Sequence, residues 1–336
     1  MKRLINTGWR RPAVRIAISG VILASLLAFV PLHKLALAIR SISPALWFWL
    51  LMGFLATHVI GVIKWRLTLR LSDARLTFVQ ALRCYFAGLF GTVYLPSIVG
   101  GDVIRMGMAF RTGQNRAGIV LGSLVDRLLD ILGLAAVAGI GAFLLPGALD
   151  PRSRKIFSVF VLMLAFTLAT LFAILVVLPW RRFPLKVLRL LVKLRKAGRS
   201  MLSRPYLVLV SLLLGILVQL SLVSLSALIA SACGLRIPFH VWLLVWPLAK
   251  LLALLPITLG GIGIREAGLA ALLAPFGAPA ALTVAVGLAW ESIIIGGGLS
   301  AGLVSFLAGD MFSLRSLVSS TRLRPATEEL TVPRTQ

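Results

Sequence analysis

Acidic residues are scarce in this chain: Asp and Glu together number 10, against 35 Lys and Arg, in 336 residues. A soluble protein with a formal charge of +25 would raise the question of nucleic acid. Polar residues are scarce too: 59% of the chain is hydrophobic and its mean hydropathy is +1.00. A soluble domain is about half apolar, so the chain reads as a membrane protein. Its excess positive charge then reads as a topology signal and as contact with anionic lipid, and no nucleic-acid partner is expected. Cysteine is nearly absent: Cys84 and Cys233 both sit in apolar surroundings, which excludes a disulfide framework and a CxxC metal pair. His58 stands alone in an apolar run with no metal partners, so packing is its expected role. No Walker-type loop is present, and no cofactor is expected. Gly261-Ile262-Gly263 resembles the start of a dinucleotide loop, but the sixth position is Glu266 and no strand precedes it.

Long apolar runs are what the chain does have. Runs able to cross a hydrocarbon core of ~30 Å fall near 13–31, 44–65, 76–95, 117–146, 156–179, 206–230, 239–256 and 279–307. The fold class is therefore an all-α polytopic membrane protein with about eight spans. Lys2, Arg3, Arg10 and Arg11 precede the first run, and Ala36-Leu37-Ala38 has the form of a cleavage site. The similar runs that follow make an uncleaved first helix the simpler expectation.

One phrase is written twice. LPSIVGGDVIR (Leu95–Arg105) and LPITLGGIGIR (Leu255–Arg265) match at six of eleven positions at an offset of 160 residues. Pro96, Gly100 and Gly101 in the first, and Pro256, Gly260 and Gly261 in the second, predict helix breaks. Broken backbone at membrane depth survives only inside protein or beside a wet cavity. Each phrase leads into a short apolar segment, Val103–Phe110 or Ile264–Phe276, too short to span alone. The N-terminus of such a helix carries free N–H groups and a positive dipole end, which suits an anion such as phosphate.

A cytoplasmic N-terminus, with each phrase turning its helix back to the side it came from, places twenty-four Lys and Arg inside and six outside. Lys64 is counted among the inner ones; Lys34, Arg40 and the 152–155 cluster lie outside against the trend. In that orientation 44–65 and its counterpart 206–230 run in opposite directions. The expected organisation is a basic segment and first helix (1–43), repeat unit 1 (44–146), a linking helix and basic interfacial helix (147–204), repeat unit 2 (205–307) and a polar cytoplasmic tail (308–336). Inverted repeats with discontinuous helices are a common transporter architecture. Arg181–Arg204 holds nine basic residues and no acid, the pattern of a helix lying on an anionic surface. Trp47, Trp49, Trp65, Trp180, Trp242 and Trp246 fall towards span ends, as an interfacial belt would. Gly298 and Gly302 form a GxxxG suited to close packing.

Charges inside spans cost at least ~2.5 kcal/mol each on insertion scales, so they mark function or internal pairing. Arg105 and Arg265 end the two phrases and are the candidate phosphate clamp. Asp102 lies one turn before Arg105; Asp126, Arg127 and Asp130 lie on the following run, with Arg127 placed to pair with Asp130. In the second unit Glu266 follows Arg265, and Glu291 falls almost at the mirror of Asp130. Each unit thus offers an arginine on a short helix and a carboxylate on the next long one. Ion pairs that staple the bundle and a ligand site are both consistent with this pattern.

The two phrases, together with DRLLDILGL (Asp126–Leu134) and the continuation REAG (Arg265–Gly268), resemble the lysylphosphatidylglycerol synthase transmembrane-region family, also called flippase-like. The resemblance covers about 40–310. It carries over to Pro96, Gly100, Gly101, Asp102, Arg105, Arg127, Asp130, Pro256, Gly260, Gly261, Arg265 and Glu266, while Asp126 stands where glutamate is expected. It implies a multi-pass protein of a bacterial inner membrane, with cytoplasmic termini, that moves a phosphate-bearing, aminoacylated or glycosylated lipid between leaflets. The alternative is a non-transporting partner that presents a lipid carrier to a separate glycosyl- or aminoacyl-transferase. After Leu307 the sequence offers no counterpart of the synthases' soluble aminoacyl-transferase domain, so no enzyme is expected. An intramembrane enzyme built on Asp102 or on Asp126 and Asp130 would need a nucleophile–base set that the sequence does not display.

Overall fold

The computed structural model describes residues 40–94, 98–112, 114–145, 203–253 and 263–322. Within them lie eight α-helices and one 3-10 turn, and no strand. The helices are α1 (Pro44–Leu71), α2 (Phe78–Tyr94), α3 (Ile98–Phe110), α4 (Arg116–Phe143), α5 (Pro205–Ala232), α6 (Phe239–Ala253), α7 (Ile264–Leu273) and α8 (Ala280–Arg322).

Local chemistry sets several of these boundaries. Ser43 caps α1 by accepting from the Leu46 N–H at 3.2 Å, and Pro44 fills the first position, where no N–H is needed. Thr77 and Gln80 cap α2 reciprocally, at 3.2 and 3.0 Å. Gly263 opens α7 at φ 87°, a left-handed conformation suited to glycine, and its N–H donates to Glu266 Oε2 at 2.6 Å.

Among the described residues, three helices are long and apolar enough to cross a membrane: Pro44–Leu71, Pro205–Ala232 and the Ala280–Ala308 part of α8. The 28 residues of α4 have the length but carry Asp126, Arg127 and Asp130. The 17 residues of α2 and the 15 of α6 reach only roughly 25 Å and 22 Å. The expected spans 13–31 and 156–179, the basic segment Arg181–Ser200 and Trp180 lie outside the described residues, as do Pro96, Pro256, Gly260 and Gly261.

Some boundaries differ from the sequence expectation. Helix α1 continues six residues past 65, so Lys64 is buried inside it rather than part of a cytoplasmic segment. Helix α3 begins at Ile98, so Gly100 and Gly101 are helical and not part of a break. The Gly101 position serves close approach: a Cβ there would stand 2.6 Å from the Gly88 carbonyl oxygen on α2. Trp65, Trp242 and Trp246 are buried rather than interfacial, whereas Trp49 is exposed.

Helices α1 and α5 pack antiparallel. Ser41 Oγ donates to the Ala232 carbonyl at 2.6 Å, Gly53 faces Leu225, and Lys64 lies against Gly215. Helices α2 and α3 also form an antiparallel pair: Gly88 meets Gly101, Gly91 meets Ile104, and Gln80, Arg83 and Cys84 share a cavity of about 220 Å³ with Met108 and Arg111. Helix α6 packs on α7 through Ala249 and Leu252 against Gly268.

The helix contacts follow one rule. Helix α2 packs on α8 and α6 on α4; α1 packs on α8 and α5 on α4; α1 packs on α4 and α5 on α8. Exchanging the first four helices with the last four leaves this set unchanged. Glycines make the seams close. Gly298 and Gly302 of α8 receive Val93 and Phe90 of α2, Gly296 receives Trp47, and the Gly141 backbone touches Leu243 and Leu244 of α6. Around these seams one core cluster centres on α5, α6 and α8, and a second on α1, α2 and Ala301.

Candidate functional site

The repeated arginines are both buried, and both are engaged. Arg105, on α3, places Nε 3.0 Å from Asp102 Oδ1 and donates through Nη2 to Asp126 Oδ2 at 3.1 Å. Its guanidinium lies over Trp65 and Tyr85, with ring centroids 5.1 and 5.4 Å away. Cation–π contact of this kind gains strength in a water-poor setting. Arg127, on α4, donates from Nε and Nη2 to the two oxygens of Asp102, at 2.5 and 2.6 Å. Its contact with Asp130 is loose, at 3.9 Å.

Lys64 of α1 completes the group. Its ammonium is 2.7 Å from the carboxylates of both Asp126 and Asp130, and it also donates to the Asp126 backbone oxygen at 3.2 Å. Lys64, Arg105 and Arg127 therefore balance Asp102, Asp126 and Asp130, three charges against three, across α1, α3 and α4. A buried ion is tolerable only when paired, and every member of this hexad has a partner of opposite charge, without a net charge. Arg105 Nε and Asp126 Oδ1 are nevertheless buried with no hydrogen bond of their own. Trp65 is held beneath it by a 3.0 Å bond from Nε1 to Ser123 Oγ.

The second network is smaller. Arg265 of α7 donates to Glu266 Oε1 and to Glu291 Oε2 on α8, each at 2.7 Å. Glu266 is wholly buried; it uses Oε2 to cap the helix start, and a Cβ at Gly287 would run into it. One arginine faces two carboxylates here.

The sequence-predicted residues thus gather into two networks, each joining an arginine on a short helix to a carboxylate on the next long helix. Arg265 meets Glu291 as the mirrored spacing implied. Arg105 meets Asp126 instead of Asp130, while Lys64 bridges the two carboxylates. Glycines clear the space: Gly88 lets Arg105 approach α2, with Arg105 Cβ 3.1 Å from where a Gly88 Cβ would stand.

Sequence reasoning assigned no site role to Lys64 or Lys250. Lys250, on α6, donates to Gln219 Oε1 on α5 at 2.9 Å and belongs to none of the ion pairs among the described residues. No group of three or more His, Cys, Asp or Glu side chains suited to a metal occurs among the described residues. His58 packs on Phe54 with centroids 4.4 Å apart, as its lone position suggested, but its Nδ1 is buried without a hydrogen-bond partner.

Helices that can cross a membrane, packed around charge networks buried between them, define a polytopic helical membrane protein with a polar interior. The chain belongs to the family of the lysylphosphatidylglycerol synthase transmembrane region, whose model matches residues 13–302. That family makes it a membrane protein related to lipid modification or transport. Neither the curated proteins nor the solved structures searched contain a match to the chain.

Proposed function

We propose that this protein is a lipid translocator of a bacterial inner membrane, with both termini cytoplasmic, moving a phosphate-bearing, aminoacylated or glycosylated lipid between leaflets. One observation carries the reading: each repeated phrase ends in a buried arginine that a carboxylate of the following long helix holds, at Arg105–Asp126 and Arg265–Glu291. Keeping charge at this depth is costly, and a bundle needing only packing would be served as well by apolar residues. The exchangeable helix contacts and the antiparallel α1–α5 pair support an inverted-repeat arrangement. In that arrangement the helix pairs α2–α3 and α6–α7 enter from opposite faces as re-entrant hairpins. Arg105 and Arg265 hold the headgroup phosphate in this scheme. Asp102, Asp126, Asp130, Glu266 and Glu291 orient them or receive a cationic headgroup.

The test begins with the lipid that co-purifies, identified by mass spectrometry. The wild type is expected to retain a phosphate-bearing lipid, and the Arg105→Gln/Arg265→Gln protein to lose it and to stop moving it in reconstituted vesicles. Unchanged movement in the double variant removes the clamp. The pairing of both arginines with carboxylates favours a second reading, a static frame that presents a lipid carrier to a separate transferase. Capture of such a transferase together with no lipid movement would select it.

A further inference from the structure

The cavity of about 220 Å³ in the α2–α3 hairpin takes no part in either charge network. It lies where α2 begins and α3 ends, and Ala308 of α8 closes it. Its volume is far above the ~10–15 Å³ that admits one water. Gln80 and Arg83 line it from α2, and Arg111 and Thr112 from just past α3. No Asp or Glu is among its lining residues.

The polar groups around this space are mostly donors without partners. Arg83 and Arg111 come from different helices, and neither belongs to an ion pair among the described residues. Each guanidinium brings a planar fork of N–H donors. Gln80 Oε1 accepts from the Thr77 N–H at 3.0 Å, which leaves the carboxamide NH2 to donate. Thr112 spends its proton on the Ala109 carbonyl at 2.7 Å and can only accept. The wall behind them is fixed. Cys84 is buried, and Ser305, one turn before Ala308, donates to the Arg83 carbonyl at 2.9 Å and ties α8 to α2.

The surroundings do not cancel the two charges. The end of α1 and the start of α4 meet at the same end of the bundle. There Arg66 Nε donates to the Leu76 carbonyl at 2.9 Å, the Arg75 N–H donates to Gln114 Oε1 at 3.2 Å, and Arg116 lies 5.9 Å from the Phe110 ring centroid. Arg66, Arg70, Arg75, Arg83, Arg111 and Arg116 stand here against Asp73. Asp310 of α8 falls about 200° round the helix from Ala308, and counting it still leaves arginine in excess. Asp102 is committed to Arg105 and Arg127. Glu291, where the second network meets α8, is roughly 25 Å along the helix from Ala308.

We propose that this cavity binds the phosphate group of an anionic ligand, which Arg83 and Arg111 clamp from two helices with Gln80 as a further donor. A phosphate group presents several anionic oxygens to fork-shaped donors, the geometry that paired guanidiniums suit. A single carboxylate fills one fork and leaves the second unmatched. The site is separate from Arg105 and Arg265, and it requires no lipid movement. In the orientation proposed above it faces the cytoplasm, where anionic lipid headgroups and soluble phosphates both occur.

The full-length protein in maltoside is titrated with inorganic phosphate, with short-chain phosphatidic acid and with diacylglycerol of the same chains, and binding is read by calorimetry. The two phosphates are expected to bind and diacylglycerol is not. Arg83→Gln and Arg111→Gln should each weaken binding by about tenfold or more, the scale of a lost charge-assisted hydrogen bond. Ala308→Phe fills the cavity without changing charge and should weaken binding as well. Arg75→Gln removes an exposed, salt-screened charge from the same end but not from the cavity, and should stay within about twofold of wild type. Both lining arginines are exposed, so each ligand-free variant should melt within about 2 °C of wild type, which separates a binding role from a structural one. Tighter binding of phosphatidic acid than of inorganic phosphate assigns the occupant to a lipid headgroup, and equal binding assigns it to the free ion; either upholds the site. The site is overturned if the wild type binds neither, if the arginine variants or Ala308→Phe bind as well as wild type, or if Arg75→Gln loses as much as Arg83→Gln.

Discussion

Lys64→Met is expected to cost about 3–5 kcal/mol, the range for removing one partner from a buried ion pair. The loss falls on two carboxylates at once, since the single ammonium sits 2.7 Å from both Asp126 and Asp130. Arg105 can still serve Asp126 at 3.1 Å, but Asp130 keeps only the loose 3.9 Å contact with Arg127. The apparent melting temperature in detergent, followed by size-exclusion after heating, should fall by about 10 °C or more. The triple variant Lys64→Met/Asp126→Asn/Asp130→Asn removes the stranded charges, and most of the loss should return. A melting point of Lys64→Met within about 2 °C of wild type would show that the hexad contributes little to the fold.

Gly101→Leu is expected to force α3 away from α2. The Gly101 Cβ position is 2.6 Å from the Gly88 carbonyl oxygen, and a Cβ on Gly88 would stand 2.7 Å from the Gly101 carbonyl oxygen. Both obstacles are backbone, so no rotamer change relieves them. Overpacking a core commonly costs about 1–3 kcal/mol, and a backbone collision belongs at the upper end. Arg105 sits one turn further along α3, so the same displacement would pull its guanidinium from Asp126 and from the faces of Trp65 and Tyr85. Gly107→Leu, on the same helix, is the control: nothing lies within 4 Å of a Cβ there. Comparing thermal stability and retained lipid in the two variants checks the claim. Equal behaviour would mean that the helix pair tolerates separation.

The membrane class, the helices near 78–94, 116–143 and 264–273 and the Arg265–Glu291 pair were readable from hydropathy, the double phrase and its spacing. Lys64 was not. It stands where an apolar run gives way to Trp65-Arg66, and the charge count places it in a cytoplasmic segment. Only the continuation of α1 to Leu71 puts it inside, and the apolar positions Leu67, Leu69 and Leu71 were the signal for that continuation. Lys250 has no counterpart in the first unit, where the offset of 160 falls on Phe90, so a search guided by repetition passed it by. The choice of Asp126 over Asp130 by Arg105 depends on how α3 seats against α4. Spacing within one helix cannot report that register. The buried tryptophans mislead for a related reason: an indole near the end of an apolar run suits the membrane surface or a crowded helix junction, and local sequence does not tell the two apart.

The distribution of charge along the chain also bears on how such a protein can be made. All six members of the hexad lie between Lys64 and Asp130, and leave the ribosome before the second unit. They can neutralise one another in the bilayer before Arg265, Glu266 and Glu291 have been translated. The glycine face that receives α2, by contrast, belongs to α8, near the far end. A nascent first unit would thus be electrically settled but sterically unfinished, with the side chains of Phe90 and Val93 waiting for partners synthesised about 200 residues later. Quality control that recognises stray charge in lipid would overlook that intermediate, whereas a chaperone that shields an apolar helix face would have reason to bind it.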